Sequence, residues 1–191
     1  MNKGIVKLNF NLDWKSIKPI AEKLIEGSRP DSLEVNTDNT MYNKEQPTHL
    51  LPELKSFYDF LKPHYLDLAH NVLKYSKDLE IHVLHSWFNR YNDNGFIKTH
   101  DHTGAVISSA LYLEVPENSG DLLFRDPYYN FKKNYSINSS DDWLWEKANI
   151  KVNDLYLFDA AISHKSEPNK SGKERWVLGT NIGVKPKRTL L

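Results

Sequence analysis

The sequence predicts an α+β protein in which helices come first and many short strands follow, the strands closing into a sandwich or barrel. Apolar residues recur at helical spacing through the first part of the chain, and from residue 80 the period changes to two. Clusters of Gly, Pro and Asn then cut the alternating pattern into short runs. At 191 residues the chain falls in the range of one domain and is long enough to bury a core.

Residues 5–10 alternate apolar and polar and read as a first strand. Asp13 then offers an N-cap, and Trp14, Ile17, Ala21, Leu24 and Ile25 recur at helical spacing until Gly27 and Pro30 stop the pattern. Residues 28–46 are polar and turn-rich, with Asn36, Asp38, Asn39 and Asn43, and are expected to be mostly loop. Leu54, Phe57, Phe60 and Leu61, then Tyr65, Leu68, Val72 and Leu73, form a second helical stripe interrupted at Pro63. Proline removes a backbone donor and clashes within a helix, so one kinked helix or two short ones are expected.

Beyond residue 80, Ile81, Val83, His85, Trp87, Asn89 and Tyr91 share one face of a strand, with His82, Leu84, Ser86, Phe88 and Arg90 on the other. Residues 92–95, Asn-Asp-Asn-Gly, signal a turn. Further strands are expected at 96–102, 106–115, 121–125, 150–152, 155–158 and 176–184. Residues 127–148 break the series with Tyr128, Tyr129, Phe131, Tyr135, Trp143 and Trp145 among polar residues. An insertion of this length and aromatic content suits a lid or binding loop.

Composition removes several function classes. The 25 basic residues balance 25 acidic ones, so no net field attracts nucleic acid or an anionic membrane, and nucleic acid is unsupported as a partner. With no cysteine, disulfides, thiolate metal sites and a thiol nucleophile are excluded, which fits a reducing compartment. No apolar run spans a bilayer and the N-terminus is not of signal-peptide type, so a cytoplasmic protein is expected. The oligomeric state is open. Ten Tyr, eight Phe and five Trp suit a lined pocket as well as a core.

The chemistry is concentrated at His100-Asp101-His102, at the head of the apolar run 106–115. On an extended backbone His100 and His102 point the same way and Asp101 the other, so the two imidazoles can chelate a metal. His164 follows the run 154–158, and Arg175 opens the last strand. His49, His64, His70, His82 and His85, each taken alone, read as surface or satisfied core residues.

The order Trp87-Phe-Asn89, His100-x-His102, Ser108-Ser-Ala-Leu-Tyr112-Leu, Gly120-Asp-Leu-Leu-Phe-Arg-Asp126-Pro, Leu157-Phe-Asp-Ala-Ala-Ile-Ser-His164, Arg175 and Asn181 resembles the Fe(II)/2-oxoglutarate-dependent oxygenases. It is most similar to the small bacterial and phage members with H-x-H where prolyl hydroxylases have H-x-D. The resemblance covers roughly residues 81–184. It implies a double-stranded β-helix, or jelly-roll, buttressed by N-terminal helices. In that reading residues 1–191 are one oxygenase domain, with 1–79 mostly helical support, 80–184 the jelly-roll core and 127–148 an inserted lid.

The resemblance also implies Fe(II) as metal and 2-oxoglutarate as cosubstrate. His100, His102 and His164 fall on the ligand positions. His102 departs from the usual carboxylate, which lowers the negative charge of the site by one because a ligating imidazole is neutral. Asp101 faces away as a second-layer acceptor unless a local bulge turns it inward. Arg175 falls on the residue that pairs with the distal carboxylate of 2-oxoglutarate, for which a planar charged fork is suited. The serine often found two positions later is Val177 here. Tyr112 falls on a tyrosine that contacts the cosubstrate. Asn89 and Asn181 sit on inward faces where an amide can hold the cosubstrate or substrate, and Asp126 either orients a ligand or caps a turn. Dioxygen and a small molecule or peptide are the implied reactants, and hydroxylation of a C–H bond the implied outcome. Two other readings fit the histidines: a cupin-type three-histidine enzyme without 2-oxoglutarate, which leaves Arg175 idle, and a non-catalytic jelly-roll binding module.

Overall fold

The computed structural model describes residues 4–28, 32–41, 43, 46–137, 140 and 142–187. Two antiparallel sheets carry the architecture. The larger has the order β1-β7-β4-β9-β3-β2 and the smaller β6-β5-β8, where β1 is Ile5–Asn9, β2 Glu34–Asn39, β3 Leu79–Ile97, β4 Ile107–Glu114, β5 Leu122–Arg125, β6 Trp145–Lys147, β7 Asp154–Asp159, β8 His164–Ser166 and β9 Arg175–Pro186. This is the jelly-roll arrangement that the sequence resemblance implies. No helix among the described residues is long and apolar enough to cross a membrane.

Alternation along the strands separates two apolar layers. On β7, Leu155 and Leu157 face outward, while Tyr156 and Phe158 face inward; β9 divides Trp176, Leu178 and Ile182 from Val177 in the same way. Helices α1 (Trp14–Glu26) and α2 (Lys55–Asp67) cover the outer layer with Ile17, Ala21, Leu24, Phe57, Leu61 and Tyr65. The spacing of these residues gives each helix one apolar stripe, so docking on the sheet buries it. The core beneath the helices thus leaves the inner face free for a site.

Several expectations change. Asp13 precedes α1 but makes no side-chain cap, and Pro30 lies outside the described residues. α2 runs unbroken through Pro63, and its ladder widens only afterwards, at Leu68–Val72, where the Leu73 N–H donates to the Leu68 carbonyl at 2.9 Å. The region expected as loop contains β2, a polar edge strand paired with β3, so residues 1–79 supply both edge strands of the large sheet as well as helices. Residues 150–152 form no strand. Asn149 and Asn153, with φ of 56° and 69°, bend the chain on either side, and the Asp121 carboxylate takes the backbone N–H groups of Asn149 and Ile150.

β3 departs from the expected pattern twice. Its register against β9 slips between Val83 and His85, so Ile81 and Val83 pack under the helices, whereas His85, Trp87, Asn89 and Tyr91 face inward. One unpaired residue suffices to exchange the faces of a strand. Residues 92–95 do not reverse the chain either. They bulge against Asn36 within a continuous strand, with Asn94 at φ 58°. The buried Asn169 amide nitrogen lies 2.9 Å from the Tyr91 carbonyl, 3.2 Å from that of Asn92 and 2.7 Å from that of Lys173, so its two N–H groups tie the bulge to the loop before β9.

Candidate active site

The register sets inward side chains of the large sheet in rows. His85, Asn181, Ser108 and Phe158 form one row, Trp87, Gly179, Ala110 and Tyr156 the next, Asn89, Val177 and Tyr112 a third, and Tyr91 with Arg175 a fourth. A cavity of about 270 Å³ lies over these rows. That volume suits a small organic acid rather than a large cofactor. Gly179 is required beneath it, because a Cβ there would lie 2.6 Å from the Trp87 indole, which crosses the strand at that point.

The small sheet closes one side and brings in the third imidazole. His100 and His164 form an isolated bridge, each N–H donating to the other's carbonyl at 3.0 and 2.9 Å, and the His102 N–H donates to the Ala160 carbonyl at 3.0 Å. Backbone pairing therefore ties both ends of the cluster to the segment around His164. The ring centroids lie 4.3 Å (His100–His164), 5.0 Å (His100–His102) and 5.0 Å (His102–His164) apart. One ligand atom from each ring lies within 4.8 Å of the others, a group suited to a metal ion.

The electrostatics fit that role. Burial, reinforced by His100 and His85, pushes His102 down to about 3. Burial likewise holds His164 well below the ordinary histidine value, with His100 and His102 adding to the effect. Both rings are thus neutral at neutral pH, as metal ligation requires. His100 Nδ1 lies 2.8 Å from the Lys98 carbonyl and His164 Nδ1 2.9 Å from that of Ile162. Each therefore carries its proton on Nδ1 and keeps the Nε2 lone pair for a metal.

Arg175 is buried, but it does not itself line the cavity. Its guanidinium stacks 4.0 Å from the centre of the Tyr91 ring and donates to the Ser119 carbonyl at 2.5 Å, with a longer contact of 3.5 Å to that of Glu167. Nε has no partner, and no ion pair among the described residues involves Arg175. A buried cation without a counter-ion is costly unless an anion completes it. Tyr91 and Tyr112 both line the cavity, and burial pushes the Tyr112 phenol well above its usual range, so it is a neutral donor.

Asn89 also lines the cavity, and its buried Oδ1 has no partner. Asn181 is engaged instead by Ser108, His85 and His102. Asp101 is exposed at the rim and accepts from the Thr103 hydroxyl at 3.2 Å, outside the three-histidine group. Asp126 caps a turn, accepting from the Tyr128 N–H at 2.7 Å. The described residues of the 127–148 insertion do not line the cavity. They form α3 (Tyr129–Tyr135) and β6, and β6 pairs with β5, which pairs in turn with the strand carrying His164. The insertion thus backs that wall: the Ala148 N–H donates to the carbonyl of the cavity-lining Leu122 at 2.9 Å, and the centre of the Trp145 ring lies 4.1 Å from Lys165 Nζ. His85, read from sequence as an ordinary histidine, is a fourth imidazole in the cavity. Its signal was the face it shares with Trp87 and Asn89.

A sequence model of the family described as "Putative 2OG-Fe(II) oxygenase" matches residues 85–181. No curated protein matches the chain. Among solved structures, a Pseudomonas putida prolyl-4-hydroxylase superposes with a TM-score of 0.61 at 15% identity, covering 97% of this chain and 94% of that one. The viral collagen prolyl hydroxylase of Paramecium Bursaria Chlorella virus-1, solved as a 2OG complex, gives 0.59 at 14% identity over 95% and 96%. The non-heme alpha ketoglutarate dependent epimerase SnoN of nogalamycin biosynthesis gives 0.63 at 12% identity over 98% and 80%. At these identities the likeness is one of fold.

Proposed function

Because the chain belongs to this family of 2OG-Fe(II) oxygenases, whose members use Fe(II) and 2-oxoglutarate with dioxygen and a substrate, we propose that it is a hydroxylase with its iron held by His100, His102 and His164. Bound Fe(II) supplies the redox chemistry that couples dioxygen and the decarboxylation of 2-oxoglutarate, giving succinate and carbon dioxide, to oxidation of a substrate C–H bond.

The residues around the metal have separate tasks. The three imidazoles, two of them held neutral by burial, would hold the metal, one ligand atom from each. Arg175 supplies the positive charge for the distal carboxylate of 2-oxoglutarate, with Nε the donor that no protein group uses. Tyr112 donates from its phenol to the same carboxylate, in place of the serine hydroxyl that Val177 cannot provide. The Asn89 amide faces the cosubstrate or the substrate beside them. Trp87, Phe158 and Leu122 exclude water from the reacting centre. The whole chain acts as a single oxygenase domain.

The observation that carries this reading is a buried guanidinium lacking an anion, stacked on a tyrosine that lines the same cavity as three converging imidazoles. A three-histidine enzyme without a keto acid has no use for that charge. The test is anaerobic titration of the Fe(II)-loaded protein with 2-oxoglutarate, followed by succinate assay on admission of oxygen. A visible absorption band of the chelate and oxygen-dependent succinate are expected. Absence of both overturns the assignment.

A further inference from the structure

His102 differs from the other two imidazoles in what holds its second nitrogen. His100 and His164 set their Nδ1–H against backbone carbonyls, which fixes the tautomer with Nε2 free. His102 Nδ1 faces no carbonyl. It lies 3.4 Å from one end of the Asn181 amide, which is also 3.2 Å from His85 Nε2, while the other end of the amide is 2.8 Å from Ser108 Oγ. Asn181 is buried, at 6% exposure, so these groups decide its orientation.

The two ends of an amide are nearly the same size, and a half-turn of the side chain exchanges them. With the NH₂ end toward the histidines, both His85 Nε2 and His102 Nδ1 must accept. His102 then carries its proton on Nε2, and its lone pair is spent on Asn181. With the oxygen toward them, its two lone pairs accept from His102 Nδ1–H and His85 Nε2–H together, while the NH₂ donates to Ser108 Oγ. Only this second arrangement leaves His102 Nε2 free, as on the other two rings.

We propose that Asn181 is the positioning residue of the metal site: its carbonyl oxygen fixes the metal-binding tautomer of His102 and ties that ring to His85. The inference rests on the three-imidazole reading above. It moves Asn181 from the cosubstrate to the metal's surroundings, and it explains how a histidine takes the place of a carboxylate, which needs no tautomer to be chosen. His85 thereby has a role as the second group on the same oxygen.

The experiment is calorimetric titration of the full-length metal-free protein with Co(II), read also through the visible ligand-field spectrum, at one pH where all variants are folded by circular dichroism. Asn181→Leu removes the acceptor at similar volume and should weaken Co(II) binding roughly 10- to 100-fold. Asn181→Asp can accept but not donate, so it should bind Co(II) at least as tightly as the parent and keep its spectrum. Wild-type affinity in Asn181→Leu overturns the proposal. So does an Asn181→Asp protein that binds poorly, and this variant decides the question alone if Asn181→Leu does not fold. His102→Ala separates the two levels of the argument: unchanged Co(II) affinity there sinks the three-imidazole site itself, whereas weakened affinity with an unaffected Asn181→Leu sinks only the role of Asn181.

Discussion

Replacing Arg175 by methionine keeps the length of the buried side chain and removes its charge, which isolates the anion-binding role assigned to it. Two charge-assisted hydrogen bonds to a carboxylate contribute about 1.5 kcal/mol each at the low end of their range, about 3 kcal/mol together. At roughly 1.4 kcal/mol per decade, the Kd for 2-oxoglutarate should rise about 100-fold. Stability of the unliganded protein should change far less, because two opposed effects follow the same substitution. The Ser119 and Glu167 carbonyls lose a donor, and a cation with no counter-ion leaves the interior. Anaerobic titration of the Fe(II)-loaded protein, monitored by the chelate absorption, gives the Kd directly. Thermal unfolding without cosubstrate checks the fold. Unaltered affinity for 2-oxoglutarate in a folded Arg175→Met protein would refute the argument from the unpaired guanidinium.

Other consequences follow from the same geometry. Gly179→Ala places a methyl group 2.6 Å from the Trp87 indole, so the ring must move into the cavity; 2-oxoglutarate affinity should fall while Co(II) affinity holds, and an unchanged Kd for the acid would count against the placement of the cavity. In the metal-free protein His102 is depressed to about 3 from 6.5, so the unfolded chain binds the extra proton between those values. Stability is therefore full above pH 6.5 and lost as pH falls, by about 2 kcal/mol from this residue at pH 5; equal urea midpoints at pH 7.5 and pH 5 would contradict it. Asn169→Ala unties the bulge of β3 and should cost about 2–3 kcal/mol, a fall in Tm of roughly 5–10 °C, measured by calorimetry.

The three-histidine group was legible because residue order along a jelly-roll is enough to name it, and a two-residue spacing survives any fold that keeps the segment extended. What the sequence hid was register. The slip at Leu84 leaves no compositional trace, yet it sends Ile81 and Val83 to the helical side and His85 to the cavity. β2 was missed because an edge strand need not alternate: Glu34-Val-Asn-Thr-Asp-Asn is nearly all polar, and only pairing with β3 makes it a strand. Residues 92–95 have the composition of a reversing turn, and it is Asn169, far along the chain, that makes them a bulge instead. The insertion drew attention by its aromatics. Many of these, including Tyr128, Phe131, Tyr135 and Trp143, are exposed and lie away from the cavity, so aromatic content alone did not locate the site.

The histidine at position 102 also changes how charge is distributed when the site fills. In the proposed site three imidazoles would bring no negative charge to a divalent metal, and Arg175 adds a buried positive charge to the protein. A carboxylate in the third position would offset part of the metal's charge before any cosubstrate arrived. In the proposed site that compensation would fall to 2-oxoglutarate, which brings two negative charges. Metal and cosubstrate should consequently strengthen each other's binding more than in a site with a carboxylate, and linkage makes the effect equal in both directions. The burial that keeps His102 and His164 neutral also lowers the local dielectric, which enlarges that coupling. In the proposed site, a histidine in place of an acid should thus make retention of the metal depend on the presence of the keto acid.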